Sequence, residues 1–125
     1  METKKAVLCD DDKTSTLIVK HLLTQAGFSV RTAVNGAEGL ALLGTEKPDL
    51  LILDLDMPVK NGIAVLEELQ KTQNRPTYII VLSARESPED RAKVLSLGAQ
   101  GMMIKPFKPV DLIKKVEETM KEGTR

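Results

Sequence analysis

Carboxylate side chains directly follow two short apolar segments of the sequence. Asp10 and Asp11 come after the run Ala-Val-Leu-Cys, and Asp54 comes after Leu-Leu-Ile-Leu, with Asp56 two residues further along. A set of oxygen ligands without histidine or cysteine favours Mg²⁺, which commonly binds one or two carboxylates and bridges them to phosphate. These residue types therefore indicate a magnesium site that handles a phosphoryl group.

A serine and a lysine follow two later apolar segments in the same way. Ser83 comes after Tyr-Ile-Ile-Val-Leu, and Lys105 comes after Met-Met-Ile. A lysine ammonium can neutralise an incoming phosphoryl oxygen, and a serine hydroxyl can hydrogen-bond another. Combined with a bound cation, these groups suit the transfer of a phosphoryl group to a carboxylate, with Asp54 as the nucleophile.

Acidic groups that converge on one crevice repel each other. Two unit charges about 4 Å apart interact with roughly 4 kcal/mol at an effective dielectric constant near 20. Such a cluster usually either raises the pKa of some of its members or binds a hard cation. We therefore expect a divalent cation to be part of the working site.

Five repeated strand–helix units must position these groups. Short apolar segments alternate with helical stretches, and three of the predicted strands are apolar throughout. That composition is typical of a parallel sheet covered by helices on both faces. Ligands bind such open sheets beyond the carboxyl ends of the strands, where the reactive residues lie in this sequence. The predicted strands are 6–9, 29–32, 50–53, 78–82 and 102–104.

The predicted helices have recognisable ends. Asp12 is a suitable N-cap for the first helix, and Gly27 ends it. Ser87 and Pro88 suit the N-cap and first position of the fourth helix, and the fifth starts near Pro109. The second and third helices follow Asn35-Gly36 and Gly62. The apolar positions that we assign to the first helix are Leu17, Ile18, Leu22 and Ala26.

Composition limits the class of protein. The 125 residues fit one domain, predicted to span 1–125 with a core of about 4–121. Eighteen basic residues balance eighteen acidic ones, so we expect no direct binding to nucleic acid or to an anionic membrane. Aromatic residues at 2% argue against a lectin or a base-stacking module. The single Cys9 and the lack of a signal-peptide pattern predict a cytoplasmic protein.

Five motifs in this order resemble the response-regulator receiver family of two-component signal transduction, and together they cover nearly the whole chain. The resemblance implies a flavodoxin-like, doubly wound sheet of five parallel strands in the order 2-1-3-4-5 with five flanking helices. The motifs are Val-Leu-Cys-Asp-Asp (7–11), Leu-Asp-Leu-Asp-Met-Pro (53–58), Gly62, Val-Leu-Ser-Ala (81–84) and Lys-Pro-Phe (105–107).

The same resemblance assigns roles to the acidic residues. It implies that Asp54 is both the phospho-acceptor and a ligand of Mg²⁺, and that Asp10 and Asp11 also hold the Mg²⁺, one of them through water. The backbone carbonyl of Asp56 would be a further metal ligand. Its side chain adds negative charge beside the acceptor. Our hypothesis is that this charge alters metal affinity and phosphoryl lifetime, and the alternative is an ordinary solvated side chain.

The resemblance also implies a conformational switch. Ser83 would move toward the phosphoryl group, and Lys105 would contact that group and precede a cis peptide bond to Pro106. Met102 departs from the family, which often places an aromatic residue there, so any coupling of this position to Ser83 would occur without the flip of an aromatic ring. His21, the only histidine, is expected at the surface or its boundary rather than as a phosphodonor.

Partners follow from the resemblance as well. The donor would be a phosphohistidine on a sensor histidine kinase or a histidine phosphotransfer protein. Phosphorylation would shift a two-state equilibrium and change the surface formed by the fourth helix, fifth strand and fifth helix. That surface would bind or release a downstream protein or a second copy of the chain. Beyond self-phosphorylation and autodephosphorylation, we expect no enzyme activity.

Two other interpretations remain open. Leu53-Asp54-Leu55-Asp56 also fits the Asp-x-Asp nucleophile motif of haloacid-dehalogenase-type phosphatases, although Pro58 is unusual there. A receiver-like binding module that is never phosphorylated is the second alternative. The tail from Lys121 onward is either a native end, which is our expectation for a stand-alone receiver, or the start of a linker to a further domain.

Overall fold

The structure is a computed structural model that describes residues 4–73, 75–85 and 87–123. Its five strands are parallel and form one sheet in the order β2-β1-β3-β4-β5, which confirms the predicted order. Each predicted strand is present and is one or two residues longer than predicted. The strands are β1 (Lys4–Cys9), β2 (Phe28–Ala33), β3 (Leu50–Asp54), β4 (Tyr78–Ser83) and β5 (Gly101–Ile104).

Five helices alternate with the strands along the chain. In the first four, a side-chain oxygen of the residue before the helix accepts a backbone N–H from the first turn, which pairs a donor that the helix itself leaves unsatisfied. These N-caps are Asp12, Asn35, Asn61 and Ser87. The helices are α1 (Lys13–Gln25), α2 (Gly36–Glu46), α3 (Gly62–Leu69), α4 (Pro88–Ser96) and α5 (Pro109–Gly123).

The helices α2 and α3 begin at their glycines rather than after them. Residues 1–3, 124 and 125 lie outside the described residues, and with them the ends of the predicted 1–125 domain and the last two residues of the tail that starts at Lys121. No helix in the described part of the chain is long and apolar enough to cross a membrane.

An apolar core covers each face of the sheet. Side chains alternate along β3, so that Leu51 and Leu53 join one core while Leu50 and Ile52 join the other. All five residues of β3 are buried. Because packing on both faces fixes this central strand, the acidic residue at its carboxyl end, Asp54, is held in place by the core.

The buried side of α1 differs from the prediction. Val19 and Leu23 point into the core, whereas Leu17 is 69% exposed and Ile18 is 45% exposed. The helix carries apolar side chains on more than one stripe, and helical spacing alone does not determine which stripe meets the sheet. Packing against β2 and α5 selects the Val19–Leu23 stripe and leaves an apolar surface outside.

Two glycines end helices with left-handed backbone angles, Gly27 at φ 102° and Gly98 at φ 100°. A Cβ atom on Gly27 would meet nothing within 4 Å, but one on Gly98 would lie 1.5 Å from Nη2 of Arg75. That Nη2 donates a hydrogen bond of 3.0 Å to the carbonyl of Leu97, at the end of α4. The guanidinium of Arg75 therefore occupies the space beside Gly98.

We predict that Gly27→Ala lowers the free energy of unfolding by about 1–2 kcal/mol, the cost of a left-handed alanine. Gly98→Ala should cost roughly 1 kcal/mol more, because Arg75 must also give up its hydrogen bond. Urea unfolding of both variants measures the difference. The excess should disappear when Arg75 is replaced by alanine, and equal costs for the two glycines would contradict this account.

Candidate functional site

The carboxyl ends of β1, β3 and β5 bring three charged side chains together. Cys9 pairs with Leu53 in the sheet, so the residues that follow them, Asp10 and Asp54, lie side by side. The Nζ of Lys105 is 3.2 Å from Oδ2 of Asp54 and 3.3 Å from Oδ2 of Asp10. One ammonium thus bridges two carboxylates.

Asp11 adds a third carboxylate to this crevice. Carboxylate oxygens of Asp10, Asp11 and Asp54 all lie within 4.8 Å of one another. Asp10 and Asp54 are almost fully buried, and Asp11 is exposed at the mouth. Three hard oxygen donors against one ammonium leave a surplus of negative charge, and this donor set fits a hard divalent cation such as Mg²⁺.

Backbone N–H groups orient the two buried carboxylates. Oδ1 of Asp10 accepts the N–H of Asp12 at 2.9 Å, and Oδ1 of Asp54 accepts the N–H of Asp56 at 3.1 Å. In both residues the other oxygen, Oδ2, faces Lys105. Each carboxylate is therefore held by a local hydrogen bond on one side and a charged partner on the other.

The electrostatics of the crevice shift two pKa values. Burial raises the pKa of Asp54 above its ordinary value despite the N–H of Asp56 and the charge of Lys105, and the charge of Asp10 adds to the rise. Burial alone would lower the pKa of Lys105, but the carboxylates of Asp54 and Asp10 outweigh it and raise that pKa. Lys105 therefore stays charged, and its charge together with the N–H of Asp56 offsets only part of the effect of burial on the pKa of Asp54; a bound cation would lower that pKa further.

Gly62 allows α3 to approach the backbone that carries the acceptor. A Cβ atom at this position would lie 2.7 Å from the carbonyl oxygen of Asp54 and 2.8 Å from Cα of Leu55. The N–H of Gly62 donates to the carbonyl of Leu55 at 3.1 Å. A side chain here would displace the loop after β3, which is a physical reason for the glycine in the motif.

Ser83 lies at the end of β4, but its hydroxyl does not point to the acceptor. Oγ donates to the carbonyl of Arg85 at 3.0 Å and accepts the N–H of Arg85 at 3.1 Å. The backbone of Lys105 donates to the carbonyl of Ser83 at 2.7 Å, and the predicted cis peptide between Lys105 and Pro106 is present. The structure thus places Ser83 beside the crevice with its hydroxyl engaged in its own loop.

Sequence reasoning missed Arg85. Its Nη2 lies 3.8 Å from Oδ1 of Asp56 and 3.9 Å from Oδ2 of Asp90, and Oδ2 of Asp56 accepts the N–H of Ala84 at 3.3 Å. The side chain of Asp56 is exposed, yet it contacts the loop after β4. The only signal in the sequence was a basic residue two positions after Ser83, which is too weak to reveal a contact between two loops.

Three further residues that the sequence singled out, Met102, His21 and Cys9, lie in the strands and helices where they were expected. Met102 is buried on β5 and pairs with Val81, and His21 is exposed on α1. Cys9 is buried as expected, and burial, with the charges of Glu38 and Asp10, raises the pKa of its thiol to about 12. The thiol therefore remains protonated and serves as a small apolar side chain.

The sheet order and the acidic crevice at the carboxyl edge define a flavodoxin-like α/β protein. Over residues 6–117 the sequence matches the family model of the response regulator receiver domain. The chain belongs to this family, whose members are signalling domains of two-component systems.

Two relatives illustrate the family. The transcriptional regulatory protein CpxR of Klebsiella pneumoniae is 42% identical over 119 residues, which cover 95% of this chain and 50% of that protein. The transcriptional regulatory protein PrrA of Mycobacterium tuberculosis is 35% identical over 117 residues, 94% of this chain and 50% of that protein. The chain therefore spans about half the length of these relatives.

Solved structures of receiver domains share the fold. A CheY-like receiver domain protein from Methanospirillum hungatei superimposes with a TM-score of 0.90 at 28% identity, covering 98% of both chains. The chemotaxis response regulator CheY4 of Vibrio cholerae gives a TM-score of 0.87 at 31% identity and covers 94% of this chain and 99% of that one. The element order and sheet order therefore agree with those of known receivers.

We predict that Mg²⁺ raises the melting temperature of the wild-type protein, because a ligand at 100 times its Kd stabilises the folded state by about 2.7 kcal/mol. Asp11→Asn should lose most of this shift, since it removes one carboxylate of the cluster. Asp12→Asn is the matched control: it removes the same charge from the neighbouring residue, which caps α1, and asparagine also caps helices well. Equal shifts in the two variants would contradict a metal site at Asp11.

Proposed function

We propose that this chain is a phospho-accepting switch that takes a phosphoryl group onto Asp54 in a Mg²⁺-dependent step. The observation that carries the proposal is the buried arrangement of Asp10 and Asp54 around the ammonium of Lys105, with Asp11 at the mouth. No other cluster of three or more potential metal-binding side chains is found among the described residues. Receiver domains in general use Mg²⁺, and this donor set suits it.

Each residue of the site would have a separate role in the phosphoryl transfer. A carboxylate oxygen of Asp54 attacks phosphorus, forming an acyl phosphate, while the P–N bond of a phosphohistidine breaks and its electron pair returns to the imidazole. Mg²⁺ would be held by Asp10 and Asp11, with the backbone carbonyl of Asp56, and would neutralise charge on the phosphoryl oxygens. Lys105 already contacts Asp54, so its ammonium can pair with the new phosphoryl group.

The response to phosphorylation would involve the loop after β4. Ser83 would leave the backbone of Arg85 and donate its hydroxyl to the phosphoryl group, which biases a two-state equilibrium. The face formed by α4, β5 and α5 would then bind or release a downstream protein or a second copy of the chain. We propose a sensor histidine kinase or a histidine phosphotransfer protein as the phosphoryl donor, and the cytoplasm as the compartment.

The phosphatase interpretation loses support from the family assignment. The fragment Leu53-Asp54-Leu55-Asp56 lies within a match to the receiver family that spans residues 6–117, and receivers are signalling domains rather than enzymes that turn over a substrate. An incomplete site would favour a receiver that binds partners without phosphorylation. Here Lys105 contacts Asp10 and Asp54, and carboxylate oxygens of Asp10, Asp11 and Asp54 lie within 4.8 Å of one another, which favours a competent acceptor.

Incubation with acetyl phosphate and Mg²⁺, followed by intact-mass measurement, tests the proposal. We expect the wild type to gain the mass of one phosphoryl group and Asp54→Asn to gain none. Asp49→Asn is the control, because it removes the same charge from an exposed aspartate at the opposite end of β3. The carboxylate of Asp49 accepts the backbone N–H of Lys5 there. Lack of any gain in a protein that binds Mg²⁺ would favour the unphosphorylated binding module, and repeated turnover of a phosphate ester would favour a phosphatase.

A further inference from the structure

The carboxylate of Asp56 joins the loops that follow β3 and β4. Its Oδ2 accepts the N–H of Ala84 at 3.3 Å, and its Oδ1 lies 3.8 Å from the guanidinium of Arg85. The same guanidinium lies 3.9 Å from Asp90 in the first turn of α4. We call the contacts of Asp56 with Ala84 and Arg85 the Asp56 latch. Through Arg85, the latch extends to the start of α4.

Arg85, which contacts Asp56 in the latch, also binds the hydroxyl of Ser83. The carbonyl and the N–H of Arg85 both bind the hydroxyl of Ser83, at 3.0 and 3.1 Å. The hydroxyl of Ser83 can turn toward Asp54 only when these two hydrogen bonds to the backbone of Arg85 break, and the side chain of the same Arg85 contacts Asp56. The position of the Ser83 hydroxyl, turned toward Arg85, is therefore coupled to the carboxylate of Asp56.

A phosphoryl group on Asp54 would oppose the latch in two ways. It replaces one negative charge by a group that carries about −1.5 to −2 at neutral pH, only two residues from Asp56, so the like charges repel. It also offers strong acceptor oxygens to nearby donors. Asp54 pairs with Leu82 in the sheet, so the N–H of Ala84, two residues further, lies on the adjacent strand end within the same crevice region.

The packing of α4 suits movement at its first turn. Val94 is the one residue of α4 that is buried. At the carboxyl end of this helix, Arg75 and Gln70 both donate hydrogen bonds to the carbonyl of Leu97. The first turn is held by its Ser87 cap and by the exposed contact between Arg85 and Asp90. Release of the loop would therefore free the first turn of α4 while its last turn stays anchored.

We propose that Asp56 is an autoinhibitory positioning residue. Its carboxylate competes with the phosphoryl group for the loop after β4 and stabilises the resting conformation, in which Ser83 faces away from Asp54. This inference rests on the proposed function of Asp54 as acceptor and Ser83 as switch hydroxyl. It adds a role for the Asp56 side chain that is separate from metal binding by its backbone carbonyl.

The test compares Asp56→Asn and Arg85→Gln with the wild type. Hydrogen exchange of the unphosphorylated protein should be faster in residues 84–90 for both variants, because each removes the ion pair of the latch. Calorimetric titration with beryllium fluoride, a phosphoryl mimic, in saturating Mg²⁺ should show about two- to fivefold tighter binding, the effect of an exposed ion pair. In the double variant, the exchange rate and the affinity for beryllium fluoride should be close to those of either single variant, because the two substitutions remove the same interaction.

Lys93→Gln is the matched control, because it removes one positive charge from α4 at a residue that pairs with Glu67 and not with Asp56. It should leave both measurements at wild-type values. Wild-type exchange in residues 84–90 and wild-type affinity in Asp56→Asn and Arg85→Gln would overturn the latch. Failure of the wild type itself to bind beryllium fluoride would instead contradict the proposed function, so the two failures are distinguishable.

Discussion

The electrostatic balance between two buried carboxylates and one ammonium is the constraint on which the site depends. Asp10 and Asp54 lie side by side in the apolar sheet, and each places one oxygen 3.2–3.3 Å from Nζ of Lys105. The lysine offsets part of the carboxylate charge, and Asp11 adds further negative charge at the mouth. Burial, with a smaller contribution from Asp10, keeps the pKa of Asp54 raised in spite of the lysine. A divalent cation bound by this cluster, as proposed above, would supply the positive charge that offsets the remaining carboxylate charge.

The sheet determines where these charges meet, and this part of the structure was predictable from sequence. Three of the five predicted strands are apolar throughout, and helix caps such as Asp12 and Ser87 mark the segments between strands. Parallel strands bring their carboxyl ends to one edge, so the rule that reactive residues follow strands placed Asp10, Asp54 and Lys105 together. The contacts of Lys105 with both carboxylates agree with that expectation.

Details that depend on packing between distant segments were not predictable. The buried stripe of α1, Val19 and Leu23, was misassigned because several apolar stripes compete on that helix. The partner of the Ser83 hydroxyl and the contact of Asp56 with Arg85 depend on how two loops fold against each other, and a sequence pattern carries little information about that. These contacts lie beside the crevice, where local preferences leave several arrangements open.

Reductive trapping tests the central claim most directly. Borohydride reduces an acyl phosphate to an alcohol, so protein treated with acetyl phosphate and Mg²⁺ and then with borohydride should contain homoserine in place of one aspartate. The account predicts homoserine at position 54 alone, and a large loss of this product when Mg²⁺ is chelated before phosphorylation. Homoserine at Asp10, Asp11 or Asp56, or an equal yield at Asp54 without the cation, would contradict the account.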